Sequence, residues 1–143
     1  MPASTDFRTL IANQQTERTP MSSFVLFLEY PKCSTCRKAK AWLDERGVAY
    51  EDRHIVEQNP AADELRLWHE RSGLPLKRFF NTSGMLYREL GLSEKLPTMP
   101  EDEQYRLLAS NGMLVKRPLL VTETAVIPGF REAQWAEALG VEA

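Results

Sequence analysis

Tyr30-Pro31-Lys32-Cys33-Ser34-Thr35-Cys36-Arg37-Lys38-Ala39-Lys40 holds both cysteines of the chain, three residues apart. The apolar run before it, Phe24-Val25-Leu26-Phe27-Leu28, reads as a buried strand, and the spacing from Ser34 to Arg46 reads as an amphipathic helix. A C-x-x-C at a strand-to-helix junction is the pattern of a thiol redox site. The thiolate is the reactive form of cysteine, and a helix N-terminus favours it through free N–H groups and the aligned peptide dipoles. Cys33 falls at or just before the first helical residue. Lys32, Arg37, Lys38 and Lys40 surround it, and no acid intervenes between Glu29 and Asp44. Cys36 lies one turn further on, close enough to close a small disulfide ring with Cys33.

Three plainer uses of two cysteines compete with this one. A zinc site needs two further ligands, and the spacing of His54 and His69 misses the close histidine pairing of such sites. Two inert core thiols are a second option, since free cysteine is often buried. A structural disulfide would close too short a loop to stabilise much. Redox chemistry is the favoured reading, with no resident metal or cofactor.

The chain has 143 residues, enough for one domain with a real core. Its 18 basic and 20 acidic residues leave a net charge of −2, which gives no whole-chain argument for nucleic acid or membrane binding. Two cysteines do not make a secreted disulfide framework, and no apolar run reaches transmembrane length, so a cytoplasmic location is expected. Residues 1–22 are polar, contain Pro2 and Pro20 and lack an apolar signal core. They read as a disordered tail or upstream extension, with the domain spanning 23–143.

Past the cysteine helix, Gly47 suits a helix stop and Val48-Ala49-Tyr50 leads into a second strand through Ile55-Val56. From Asn59 the period is helical. Asn59 is the expected cap, Pro60 the first turn, and Ala61, Leu65 and Trp68 one face, ending at Gly73. Short helical faces follow at Leu76, Phe79 and Phe80 and at Met85 to Leu90, with Gly91 as the stop. Thr98-Met99-Pro100-Glu101 reads as a capping box for a helix ending near Asn111-Gly112. An all-helical insert is therefore expected over about 59–112. His54 and His69 have no partner motif and read as surface or helix-end residues.

Met113 to Val121 reads as a strand interrupted by Arg117-Pro118, Ala125-Val126-Ile127 as another, and Arg131 to Leu139 as a last helix with Trp135, Ala138 and Leu139 inward. The order β-α-β, helical insert, β-β-α predicts an α/β chain with a mixed four-stranded sheet of thioredoxin-like fold. In that fold Pro118 takes the place of a cis proline packed against the cysteine helix.

Three separated motifs then carry a resemblance: Tyr30 to Ala39; Phe79-Phe80-Asn81-Thr82-Ser83-Gly84 with Tyr87-Arg88-Glu89-Leu90-Gly91-Leu92; and Lys116-Arg117-Pro118-Leu119-Leu120-Val121. Over 24–139 the chain resembles the arsenate reductase (ArsC)/Spx family, in its glutaredoxin-like branch. The resemblance implies that Cys33 is the reactive cysteine and that Arg117 faces it. Glutaredoxin-linked arsenate reductases hold their oxyanion with three arginines. Arg117 matches one, Asn81 stands in the place of the second, and the third falls at Gly129 to Phe130, with Arg131 adjacent. Each charge-assisted contact to a buried oxyanion is worth about 1.5–3 kcal/mol, so arsenate binding should be weak unless Lys77 or Arg78 substitutes. Those two read as a solvated helix face.

Two functions follow as expectations. In the first, a thiol oxidoreductase uses Cys33 as nucleophile and Cys36 as resolving thiol. Arg117 and Arg37 favour the thiolate or an anionic substrate, and Ser34 and Thr35 cap the helix. Asn81 and Pro118 complete the site, and glutathione with glutaredoxin, or thioredoxin, supplies electrons. In the alternative, the pair is the redox switch of an Spx-like regulator that binds the C-terminal domain of the RNA polymerase α chain. No motif for direct nucleic-acid contact accompanies it.

Overall fold

Alternation along a single strand divides the molecule into layers. In the computed structural model, which describes residues 24–143, strand β1 (Val25–Glu29) is buried from Leu26 onward. The tail expected at 1–22 lies outside the described residues. Successive strand side chains point to opposite faces, so Leu26 and Leu28 join one core and Phe27 the other. Helix α1 (Ser34–Glu45) follows, then β2 (Glu51–His54), parallel to β1 with Leu28 opposite Arg53. After the insert come β3 (Leu119–Thr122), antiparallel to β1, and β4 (Val126–Pro128), antiparallel to β3. The mixed sheet has the order β2-β1-β3-β4, as the thioredoxin-like fold requires.

One face of the sheet is covered by α1 and the last helix. Ala39, Trp42 and Leu43 of α1 pack with Phe27, Leu120 and Trp135. The other face carries the insert, where Leu65, Trp68, Phe79, Phe80, Tyr105 and Leu108 pack with Leu26, Leu28, Leu119 and Val121. The insert comprises α2 (Ala62–Ser72), a 3-10 turn at Leu76–Phe79, α3 (Met85–Glu89), α4 (Leu92–Lys95), a 3-10 turn at Leu96–Thr98 and α5 (Glu101–Ser110). Helix α6 (Glu132–Leu139) closes the fold. No helix among the described residues is long and apolar enough to cross a membrane.

Several local expectations are corrected. Asn59 does not cap α2, because its amide donates to the carbonyls of Pro60, Leu108 and Ala109 at 3.0, 3.4 and 3.1 Å and so closes the end of α5. Ala61 flanks α2, with its N–H satisfied by the Glu64 carboxylate at 3.0 Å. Thr98 caps nothing: its hydroxyl donates back to Lys95 O, and α5 starts after Pro100 with three acids in its first turn, which suits the helix dipole. The second strand is shorter than expected, spanning only Glu51–His54. The expected strand before Pro118 is a 3-10 turn at Gly112–Leu114 and a lone bridge from Val115 to Phe80, and the strand proper starts after the proline, which has no N–H for the ladder. In α6 the buried pair is Trp135 and Ala136, while Ala138 and Leu139 are half-buried. His69 lies in the last turn of α2, the helix-end place expected of it, and is half-buried there, bonded through Nδ1 to the Tyr105 hydroxyl at 2.7 Å and packed on Phe79.

Glu29, at the end of β1, is an acid in the core with only 4% exposure. Burial and the neighbouring Asp52 push its carboxyl up to about 7, although Lys40 lies 3.5 Å away and opposes the shift. The fold therefore holds this proton more tightly than the unfolded chain does. That contribution is complete below the ordinary value of 4.5 and disappears as pH rises through about 7. Urea midpoints of the wild type should accordingly fall relative to Glu29→Gln across that interval. Parallel curves for the two proteins would contradict the burial argument. Trp135 is fully buried and its Nε1 donates to Gly129 O at 3.0 Å. Trp135→Ala should cost about 3–5 kcal/mol in the same unfolding measurement.

Candidate active site

The loop between β1 and α1 places the two sulfurs in different environments. Cys33 N–H donates to Tyr30 O at 2.9 Å, closing a turn, and Arg37 N–H donates to Cys33 O at 3.1 Å, starting the helix. Cys33 is thus the flanking residue itself, with extended backbone angles (φ −88°, ψ 125°) and its thiol where a capping side chain would sit. Ser34 and Thr35 are the first helical residues and are exposed, so the helix is not capped by their hydroxyls as expected.

Partial burial alone would raise the Cys33 pKa. It is outweighed by the nearby backbone N–H groups of Cys36 and Thr35, the Cys36 thiol and the Arg117 charge, which together favour the anion, so the net shift is down. Cys36 is fully buried, and its sulfur accepts the Tyr30 N–H at 3.5 Å. Burial pushes its thiol up to about 12, with the Tyr30 amide opposing and the Cys33 charge adding to the rise. Both cysteines are free. One is a half-exposed sulfur favoured as thiolate and the other a buried sulfur favoured as thiol.

Arg117 comes from the opposite side, immediately before the cis peptide to Pro118. Its Nη1 donates to the carbonyls of Met113 and Val115 at 3.2 and 3.5 Å, and its guanidinium lies 5.2 Å from the Tyr30 ring centre. Its buried Nε has no partner among the described residues. A fixed cation with an unused donor beside a thiolate can serve a sulfur anion or an incoming oxyanion. Pro118 is buried, and its carbonyl accepts the Gly129 N–H at 2.8 Å.

The other expected residues have more local roles. Arg37 donates to Pro31 O at 3.1 Å and clamps the loop. Lys40 is engaged with Asp52 at 2.7 Å and with Glu29, so it does not act as a free cation toward Cys33. Asn81 donates to Met113 O at 3.4 Å, the same carbonyl that Arg117 uses. Gly129 is buried at φ +88°, with Lys116 passing over it. A groove of about 670 Å³ runs from Thr35 past Arg117 and Phe130, and Arg78, Lys116 and Arg131 also line it. Arg78 is exposed, as expected, but it faces this groove and not open solvent alone. The part played by Tyr30 could not be read from sequence, because it acts through a backbone amide and a ring face.

The family model for the ArsC family matches residues 28–138. The chain belongs to the ArsC family. It is 59% identical to the protein YusI of Bacillus subtilis (strain 168) over 111 residues, covering 78% of this chain and 94% of YusI. It is 28% identical to the global transcriptional regulator Spx of Staphylococcus haemolyticus over 102 residues, 71% of this chain and 76% of Spx. Among solved structures, an ArsC family related protein from Bacteroides fragilis superposes with a TM-score of 0.78 at 57% identity, covering 80% of this chain and 97% of that one. A protein described as a possible arsenate reductase from Streptococcus mutans UA159 follows, with a TM-score of 0.75 at 51% identity over 82% of this chain and 99% of that one. These likenesses place the ArsC family chain between relatives named for reductase chemistry and relatives named for regulation.

The asymmetry of the two sulfurs can be read directly. Alkylation at neutral pH, followed by peptide mass mapping, should label Cys33 and leave Cys36 unmodified. Arg117→Met should move the pH midpoint of Cys33 labelling upward. An unchanged midpoint would remove Arg117 from the thiolate's electrostatics.

Proposed function

We propose that this ArsC-family protein is a glutaredoxin-like thiol–disulfide oxidoreductase acting in the cytoplasm. The observation that carries this reading is the unequal pair of thiols at one helix start, with Arg117 beside the exposed one. The Cys33 thiolate attacks one sulfur of a substrate disulfide, forming a Cys33 mixed disulfide and releasing the first substrate thiolate. Cys36 then attacks the Cys33 sulfur, giving up its proton to solvent or to the departing sulfur. The Cys33–Cys36 disulfide forms and the second substrate thiol leaves. Two electrons from an external thiol, glutathione with glutaredoxin or a thioredoxin-type dithiol, restore the pair.

Arsenate reduction is the less favoured chemistry. Arg117 is the only one of the three expected oxyanion positions that carries a charge, since Asn81 binds a carbonyl and Gly129 and Phe130 are uncharged. Arg78 and Arg131 lie along an open groove that far exceeds a tetrahedral oxyanion in size.

A second reading is a redox-sensing regulator. It is supported by the 28% identity to Spx, a global transcriptional regulator, together with the shared thiol switch expected from the motif. Its partner would be the C-terminal domain of the RNA polymerase α chain.

The deciding experiment measures reduction of a small disulfide, coupled separately to glutathione with glutaredoxin and to thioredoxin, with arsenate in parallel. Wild type should turn over with one donor. Cys33→Ser should lose turnover, and Cys36→Ser should stall with a mixed disulfide on Cys33. Absent turnover, combined with oxidation-dependent capture of the polymerase domain, would establish the regulator instead.

A further inference from the structure

The groove beside Cys33 has an unbalanced charge. Arg78, Lys116, Arg117 and Arg131 line it, coming from the insert, the segment before Pro118 and the start of α6. Among the described lining residues Glu132 is the one acid. Arg78, Lys116 and Arg131 make no side-chain hydrogen bond or ion pair among the described residues. Some cations elsewhere are paired, as Arg53 with Glu64 at 2.8 Å and Lys40 with Asp52 at 2.7 Å, while others such as Lys32, Lys38 and Lys95 stand singly on the surface. This groove gathers its cations along one lining. A surface that brings four cations together and leaves three unmatched raises the local concentration of anions. The Phe130 and Pro128 side chains add apolar surface to the same groove, and Thr35 and Arg117 bring it to the cysteine loop. Past Arg78 and Arg131 the surface continues into a second groove of about 550 Å³ that reaches Arg71 and Glu137.

We propose that this groove selects disulfides of acidic peptides, in which carboxylates flank the sulfur that Cys33 attacks. The inference rests on the thiol–disulfide reading above and adds the charge and class of the substrate. Arg117 engages the end of the ligand nearest the sulfur, and Arg78, Lys116 and Arg131 engage carboxylates further along. The peptide between them lies over Phe130. The bonds made and broken are those of the first step already described: Cys33 bonds to the sulfur of the acidic peptide in the groove, the substrate S–S bond breaks, and the other half of the disulfide leaves as its thiolate.

Small disulfides of graded charge test this directly. Reduced protein is mixed with oxidised glutathione, which is anionic, with neutral hydroxyethyl disulfide, or with cationic cystamine. The rate of Cys33 mixed-disulfide formation is divided by the rate of a free small thiol with the same reagent, which removes intrinsic differences among the disulfides. The normalised rate should be about tenfold or more higher for oxidised glutathione than for hydroxyethyl disulfide, and lowest for cystamine. Raising salt beyond the physiological range should compress the series, because exposed charges are screened. Arg78→Glu and Arg131→Glu, at exposed positions, should narrow the ratio of the anionic to the neutral rate. Equal normalised rates for the three reagents would overturn the inference while leaving the thiol reading intact. Failure of all three to modify Cys33 would overturn both.

Discussion

The start of a helix can offer its unpaired amides to one sulfur, and the chain gives them to Cys33. Much of the structure is arranged around that assignment. Cys33 occupies the flanking position of α1, so the amides of Thr35 and Cys36 favour charge on its sulfur instead of serving a hydroxyl or carboxylate. Helix α1 is fixed against the sheet by Ala39, Trp42 and Leu43, which pack on Phe27, Leu120 and Trp135. Its first turn therefore meets the segment before Pro118, where Arg117 adds a charge. The same packing places Cys36 in the core, where ionisation is opposed by lost hydration.

The insert also belongs to this arrangement. Arg117 is oriented by the carbonyls of Met113 and Val115, Lys116 N–H donates to Phe79 O at 2.8 Å, and Asn81 binds the Met113 carbonyl. The cation facing Cys33 is thus held from the insert side of the sheet, while the thiolate is held from the α1 side. The facing of Arg117 and Cys33 depends on both layers keeping their register. Asn81, which the family resemblance sets in the place of an oxyanion-binding arginine, acts here as a tie beneath Arg117.

The order of elements and the place of the cysteines are legible in the sequence because each signal is local and periodic. The apolar run at Phe24–Leu28, the C-x-x-C, the helical spacing that follows and the Lys116-Arg117-Pro118 motif each announce themselves within a few residues. Misreadings gather where one residue type serves several purposes. Asn59 has the local setting of a helix cap, but its amide is taken by the far end of another helix, a contact across 49 residues that no local pattern records. Thr98 and Pro100 have the spacing of a capping box, yet the helix starts one residue past the proline. Glu29 gives no sign in sequence of lying in the core, because its burial follows from pairing with Lys40 and Asp52 on two other elements. Arg78 and Arg131 are separate surface charges along the chain, and only the fold sets them along one groove.

The unequal burial of the two sulfurs also gives any bond between them a single side of approach. An outside thiol can reach only the half-exposed Cys33, so opening the bond must expel Cys36. Burial that disfavours the Cys36 thiolate makes it a reluctant leaving group, and it also leaves little thiolate for the attack that closes the bond. Closing and opening would both pass through the Cys36 thiolate that burial disfavours, so the buried sulfur sets the pace of either step while Cys33 alone meets the outside.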